Sequence, residues 1–265
     1  MRVTAQMLWT VCPLALLAGF IDAVAGGGGL ISLPAYYLAG LPASTAAGTN
    51  KLSATMGTAL AVYNYGCSGK INRRIGLLSG MAAVLCSTMG VLLMKQLPDR
   101  TVRVLVMCCI PVAAAATLRG RKGARAAVER TPGQTAAYAL LIGSAIGFYD
   151  GLVGPGTGTF LILLFIQAFA LEDVTASGTA KATNLCSNLA ALTSLLLTGD
   201  VLWLLGLPAG LCAMAALLAL AGPRGSAGAA VGSRLTIRRG AKFVRGMMLC
   251  VLALLLAKMI TDMLQ

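Results

Sequence analysis

Eight stretches of this 265-residue chain are each apolar enough and long enough to cross a lipid bilayer, and this recurrence constrains the fold more than any other feature. A helix needs about 20 apolar residues to traverse a hydrocarbon core ~30 Å thick. The candidate full spans are residues 7–25, 44–66, 75–95, 101–118, 135–153, 175–198, 201–222 and 243–262. Inside lipid every backbone N–H and C=O must be paired within the protein, so uninterrupted apolar runs of this length form helices. Two shorter apolar pieces, 29–40 and 157–171, follow glycine-rich turns and predict half-helices or tilted, broken spans. The expected fold is all-α: a polytopic helical membrane protein with about eight transmembrane helices plus two interrupted half-helices.

Composition closes off the soluble alternatives. Charged residues make up 11% of the chain, less than half of the ~25% an ordinary soluble domain needs at its surface. A soluble enzyme, a DNA-binding domain and a disordered chain are thereby excluded. The net charge of +13 does not bring nucleic acid back, because the basic residues cluster at 70–74, 119–130 and 224–245, each between apolar runs. Cytoplasmic loops of membrane proteins look like this, with Lys and Arg retained inside and held near anionic lipid. The eight cysteines include no CxxC pair and the chain has no histidine, so no metal centre, disulfide or cofactor is expected. The first apolar run, Met7 to Ala25, passes into a glycine turn without a cleavage site and reads as a retained span.

An internal repeat organises the chain. Gly19-Phe20-Ile21-Asp22 returns as Gly147-Phe148-Tyr149-Asp150, and Gly26 and Gly28 return as Gly154 and Gly156. After a two-residue insertion Ala46, Gly48, Thr49 and Lys51 recur as Ala176, Gly178, Thr179 and Lys181, and Gly69 recurs as Gly199. Small residues match easily by chance in an apolar protein; an aspartate and a lysine in the same order do not. Residues 1–118 read as a first membrane repeat, 119–134 as a basic cytoplasmic connector and 135–265 as a second repeat. Equivalent loops differ in charge: Lys70, Arg73 and Arg74 follow Gly69, whereas Asp200 follows Gly199. Putting 70–74, 119–130 and 224–245 in the cytoplasm leaves 95–103 and Asp200 outside. Equivalent loops then face opposite sides, as in the inverted repeats of many secondary transporters. A parallel repeat stays open at this stage, because Lys95, Arg100 and Arg103 fall on the outer side.

The repeated positions are also those that could carry chemistry. Gly26, Gly27, Gly28 and Gly29 in the first half, and Gly154, Pro155, Gly156, Thr157 and Gly158 in the second, break their helices at equivalent places. The half-helices that follow begin with unpaired N–H groups and a positive dipole end, which suits an anion. Lys51 and Lys181 sit within apolar stretches, where a charge costs at least ~2.5–3.5 kcal/mol unless it faces a cavity or a partner. Lys181, Asn184 and Asn188 fall at i, i+3 and i+7, and Lys51, Thr55 and Thr58 at i, i+4 and i+7, each a polar stripe on one helical face. A small oxyanion would use such a combination of cation and hydrogen-bond donors. The alternative is that these lysines snorkel to an interface or neutralise Asp22 and Asp150. The two aspartates, just before the glycine turns, could relay protons, pair with the lysines or cap the broken helices.

These segments, GFIDAVAGGGGLISLPAYYLAG with GTNKLSAT, and GFYDGLVGPGTGTFLILLF with AKATNLCSNLAAL, resemble the TauE/SafE family of sulfite and organosulfonate exporters. The likeness is closest to its bacterial YfcA-type members and covers nearly the whole chain. The resemblance implies a multi-pass permease of the bacterial inner membrane that moves small anions such as sulfite or sulfonates. It marks Asp22, Gly26 to Gly29, Asn50 and Lys51, then Asp150, Gly154, Pro155, Gly156, Lys181, Asn184 and Asn188. The histidine that some relatives carry near Lys181 is replaced here, so histidine-based proton coupling is not expected.

The combined expectation is a permease working by alternating access, with substrate near the midplane between the glycine turns and any proton coupling through Asp22 or Asp150. Its partners would be a small anionic solute and membrane lipid, with homo-oligomer formation allowed and nucleic acid not expected. The alternatives are a channel-like anion pore and a non-transporting accessory subunit. An intramembrane enzyme is disfavoured by the lack of histidine, of an acid–base carboxylate pair and of a nucleophile motif.

Overall fold

A computed structural model of the chain describes residues 3–25, 27–119, 130–221 and 241–264. Gly26, most of the basic connector and the basic stretch at 222–240 lie outside the described residues. Among the described residues there are ten helices and no strand. The first half holds α1 (Ala5–Ala25), α2 (Gly29–Leu38), α3 (Ala43–Cys67), α4 (Arg73–Gln96) and α5 (Asp99–Arg119). The second holds α6 (Pro132–Leu152), α7 (Thr157–Phe169), α8 (Asp173–Leu197), α9 (Trp203–Ala221) and α10 (Ala241–Leu264). The protein is a polytopic helical membrane protein, with α2 and α7 as the two short helices expected after the glycine turns.

Length and apolarity do not coincide in every helix. Ala5–Ala23, Arg73–Gln96, Asp99–Thr117 and Pro132–Leu152 are long and apolar enough to span a membrane on both counts. The helices α3 and α8, each 25 residues long, are less apolar because they bury a polar stripe, including Thr49, Asn50 and Lys51 in one and Lys181, Thr183 and Asn188 in the other. They pack against each other in the middle of the molecule. On the outside, Leu77, Leu85 and Leu92 of α4 and Leu204 and Leu211 of α9 are exposed. Polar groups inside and leucines outside suit a hydrocarbon solvent.

The helix ends follow from local chemistry. Thr131 and Gln134 form a reciprocal capping box around Pro132 at the start of α6, satisfying two otherwise orphaned N–H groups. The Asn72 side chain accepts from the Ile75 N–H at 3.1 Å and starts α4.

Packing repeats with the halves exchanged. Gly19 of α1 lies against Ala213 of α9, and Gly147 of α6 lies against Ala83 of α4. The loop after α8 packs on the start of α3, where Gly48 meets the Asp200 carbonyl. The loop after α3 packs in turn on the start of α8, where Gly178 meets the Lys70 carbonyl. A Cβ at Gly48 or Gly178 would stand 2.2 or 2.1 Å from those oxygens, so only glycine permits the contact. Each of the two equivalent helices thus begins beside the other's end. They run antiparallel, which is the inverted arrangement.

Polar contacts gather the loops into two ends. At one, Lys70 pairs with Glu172 at 3.4 Å, Arg74 donates to the Pro132 carbonyl at 3.1 Å and Arg130 donates to the Ala168 carbonyl at 2.8 Å. At the other, Lys95 pairs with Asp200 at 2.5 Å, Arg103 pairs with Asp99 at 2.6 Å and also donates to the Leu41 carbonyl, and Asp99 accepts from the Ala43 N–H. Lys95 and Arg103, unexpected on an outer face, are therefore matched by acids there. Burial would raise the Asp200 carboxyl, but hydrogen bonds from Lys95, Thr198 and Ser44 outweigh it and hold Asp200 below its ordinary range.

The Arg130 contact also fixes the course of the second broken helix. The start of α6 and the end of α7 lie at the same end of the molecule, so α7 runs back toward the end from which α6 sets out. The first pair is built alike: α1 and α2 pack together, with Gly28 folded back onto Ala18 and Asp22.

Candidate functional site

The site grows from the two glycine turns. Gly154 and Gly156 adopt φ values of +92° and +85°, a region side chains rarely tolerate. A Cβ on Gly156 would also stand 2.4 Å from that of Ala113. The turn ends α6 at Leu152 and starts α7 at Thr157, while its counterpart ends α1 at Ala25 and starts α2 at Gly29. The carbonyls of the turns already take up much of the first-turn donor capacity: the Leu30, Ile31 and Ser32 N–H groups donate to Gly27 and Gly28, and those of Thr157 and Phe160 to Gly154 and Gly156.

Each turn brings an aspartate to a lysine of the opposite half. Lys51 Nζ of α3 lies 2.7 Å from Asp150 Oδ2 of α6 and donates to Asn188 Oδ1 of α8 at 2.9 Å. Lys181 of α8 pairs with Asp22 of α1. Both lysines are about 5% exposed. Each stands four residues before the midpoint of its 25-residue helix, hence ~6 Å from that midpoint at ~1.5 Å per residue. Neither lysine snorkels; both are neutralised by a carboxylate near the midplane.

The two pairs differ in support. Asp150 also accepts from Thr157 at 2.8 Å and from Ser187 at 2.7 Å, and its side chain is 3% exposed. Among the described residues Asp22 receives a 3.4 Å bond from the Gly28 N–H besides Lys181, and its side chain is 29% exposed.

Between the pairs lies a cavity of about 80 Å³. About 10–15 Å³ of such space holds one water, so the cavity takes several waters or one small polyatomic ion. Of the residues singled out in the sequence, Asp22, Gly28, Gly29, Asn50, Lys51, Asp150, Gly154, Gly156, Thr157, Asn184 and Asn188 line it. They come from α1, α2, α3, α6, α7 and α8 and meet at one place.

Several expected residues do not line the cavity. Gly27 sits behind the turn, close to Leu30, Thr117 and Thr159. Pro155 presents its carbonyl to the Tyr149 hydroxyl at 2.5 Å. Lys181 reaches the cavity wall only through Asp22, and Gly26 lies outside the described residues. Thr55 belongs to a different side of α3 from Thr58, with its hydroxyl buried and unpartnered; the lining stripe instead runs through Asn50, Ala54 and Thr58.

Other contributors are absent from the sequence reading. Ser187 donates to Asp150, but its counterpart in the first half is Gly57, so the repeat gave no signal. Ser32 and Ser53 also line the cavity. Ser32 falls at i+3 from Gly29 on α2, a spacing that could have revealed it; Ser53 is recognisable only once Tyr36 is seen donating to it at 2.9 Å. Among the described residues no cluster of His, Cys, Asp or Glu could hold a metal ion.

Chemically, the arrangement offers two matched ion pairs, amide and hydroxyl donors and two helix starts around one small polar space. The family model for the sulfite exporter TauE/SafE matches residues 11–259. The chain is 32% identical to the probable membrane transporter protein ORF9 of Sinorhizobium sp over 249 residues, covering 94% of this chain and 90% of that one. It is 32% identical to the probable membrane transporter protein YfcA of Escherichia coli K12 over 273 residues, covering 98% and 94%. A probable membrane transporter protein of Haemophilus influenzae is 31% identical over 248 residues, with 93% and 91% covered. No solved structure matches the chain.

Proposed function

Since the chain belongs to the sulfite exporter TauE/SafE family, we propose that it is a permease carrying a small sulfur oxyanion, sulfite or a sulfonate, out across the bacterial inner membrane by alternating access. The observation that carries this reading is the crossed pairing of Lys51 with Asp150 and Lys181 with Asp22 around one cavity near the midplane. Each bond ties one half of the molecule to the other, so a rocking motion between halves changes both. The repeats are 1–118 and 135–265, joined by the connector 119–134 on the cytoplasmic side, where the basic residues lie.

The substrate sits between the glycine turns, with amide groups of Asn50, Asn184 and Asn188 and the helix starts at Gly29 and Thr157 around it. The proton gradient is coupled through Asp22, the aspartate open to the cavity. An anion in the cavity competes with Asp150 for the Lys51 ammonium group, and reaches Lys181 only by displacing Asp22.

Flux of labelled sulfite into proteoliposomes tests this reading. The wild type should show saturable flux, and Lys51→Ala and Lys181→Ala should each reduce it at least tenfold at unchanged reconstitution. Unsaturable conductance would identify a pore instead. Normal flux in both variants would remove the lysines from the mechanism.

A further inference from the structure

Every ammonium group at the cavity is already matched by a carboxylate, Lys51 by Asp150 and Lys181 by Asp22. Among the described residues the charged side chains that line the space are Asp22, Lys51 and Asp150, with Lys181 directly behind Asp22. Counted with Lys181, the site carries no net formal charge before a solute enters. Burying an ion costs in proportion to the square of its charge, so a dianion pays about four times the penalty of a monoanion of the same size. A neutral cavity that also holds two carboxylates takes one negative charge far more readily than two.

The hydrogen-bonding groups narrow the choice further. The Asn188 carbonyl oxygen accepts from Lys51, which turns its NH₂ away from the ammonium, and Asn188 lines the cavity. The hydroxyls of Ser32 and Thr58 also line it and make no hydrogen bond among the described residues. These are donors for the oxygens of an anion. Asp22 differs from them, because a carboxylate can only accept. Its weakly held Oδ1 and 29% exposure leave acceptor capacity in the cavity that Asp150 lacks.

On the reading that the chain carries a sulfur oxyanion, we infer that the species taken up is singly charged and bears a hydrogen, hydrogen sulfite rather than sulfite dianion, and that Asp22 receives that hydrogen. Among the described residues, the groups facing Asp22 are consistent with this assignment: Lys181 from α8, the Gly28 N–H from the turn, and Ala213 and Leu217 from α9 at the cavity. The proton then travels on the substrate and meets the coupling residue directly.

Binding to the purified full-length protein in nanodiscs, measured by calorimetry between pH 6 and pH 9, tests the inference with three probes. Sulfite changes from hydrogen sulfite to the dianion across this range, methanesulfonate stays singly charged without a hydroxyl, and sulfate stays doubly charged. The apparent Kd for sulfite should rise with pH as the inverse of the hydrogen sulfite fraction, approaching about tenfold per pH unit at the alkaline end. Methanesulfonate should bind more weakly and independently of pH, and sulfate should fail to compete. Asp22→Asn, which leaves Lys181 unmatched, should flatten the sulfite profile and admit sulfate. Equal or tighter sulfite binding at high pH, a methanesulfonate profile with the same slope, or sulfate competition in the wild type would each overturn the inference while leaving an anion carrier in place. Absence of binding by every probe would overturn both.

Discussion

The two ion pairs at the centre of this protein are equivalents in a duplicated chain, yet one is enclosed and the other is open. Lys51 and Asp150 are held by Asn188, Thr157 and Ser187, with neither side chain more than 7% exposed. Among the described residues Lys181 and Asp22 have no comparable set of hydroxyl and amide partners, and the aspartate faces the cavity. The same two residue types at matching repeat positions are thus enclosed in one place and part-open in the other. The residues that make the difference, Ser187 opposite Gly57 and Thr157 opposite Gly29, are those where the two copies diverged.

The largest effect should come from breaking the enclosed pair. Asp150→Asn strands Lys51 as a buried, uncompensated charge and should cost about 3–5 kcal/mol of stability, read as a fall in the unfolding midpoint in detergent. Lys51→Met with Asp150→Leu should recover most of that loss, because a buried pair replaced by apolar residues is often neutral. If the single and double variants were equally unstable, the pair would have another role.

Asp22→Asn also strands a buried lysine, Lys181, but the aspartate is part-exposed and gives up fewer bonds, so it should cost less, about 2–3 kcal/mol, while reducing flux at least tenfold. A stability loss as great as that of Asp150→Asn would erase the distinction between the pairs. The smallest effect should come from the outer end. Lys95→Met should cost about 0.5–1 kcal/mol. Asp200 is held below its ordinary value; its contribution is complete above the unfolded carboxylate pKa and is lost as pH falls through the folded one. The wild type should therefore lose stability on acidification through that window, and Asp200→Asn should lose less. Equal acid sensitivity in both would assign the effect to other carboxylates.

Much of the scaffold was legible because lipid makes length and apolarity decisive, and the repeat marked Asp22, Lys51, Asp150 and Lys181 before any contact was known. The partners of the lysines were less so. Neutralisation by aspartate was readable, but the crossing of each pair between halves follows from the antiparallel run of α3 and α8, which charge patterns along the chain do not encode. The return of α7 toward the start of α6 likewise depended on the Arg130–Ala168 contact between the two legs. Gly27 and Thr55 shared the spacing of true lining residues and faced elsewhere, since a turn and a helix each have a back.

The equal lengths of α3 and α8 have one more consequence. Two beams of 25 residues that are tied near their centres by the Lys51–Asn188 bond and touch each other's connecting loops at both ends through Gly48 and Gly178 form a braced strut, so on the alternating-access reading the displacement would fall to the helices around it.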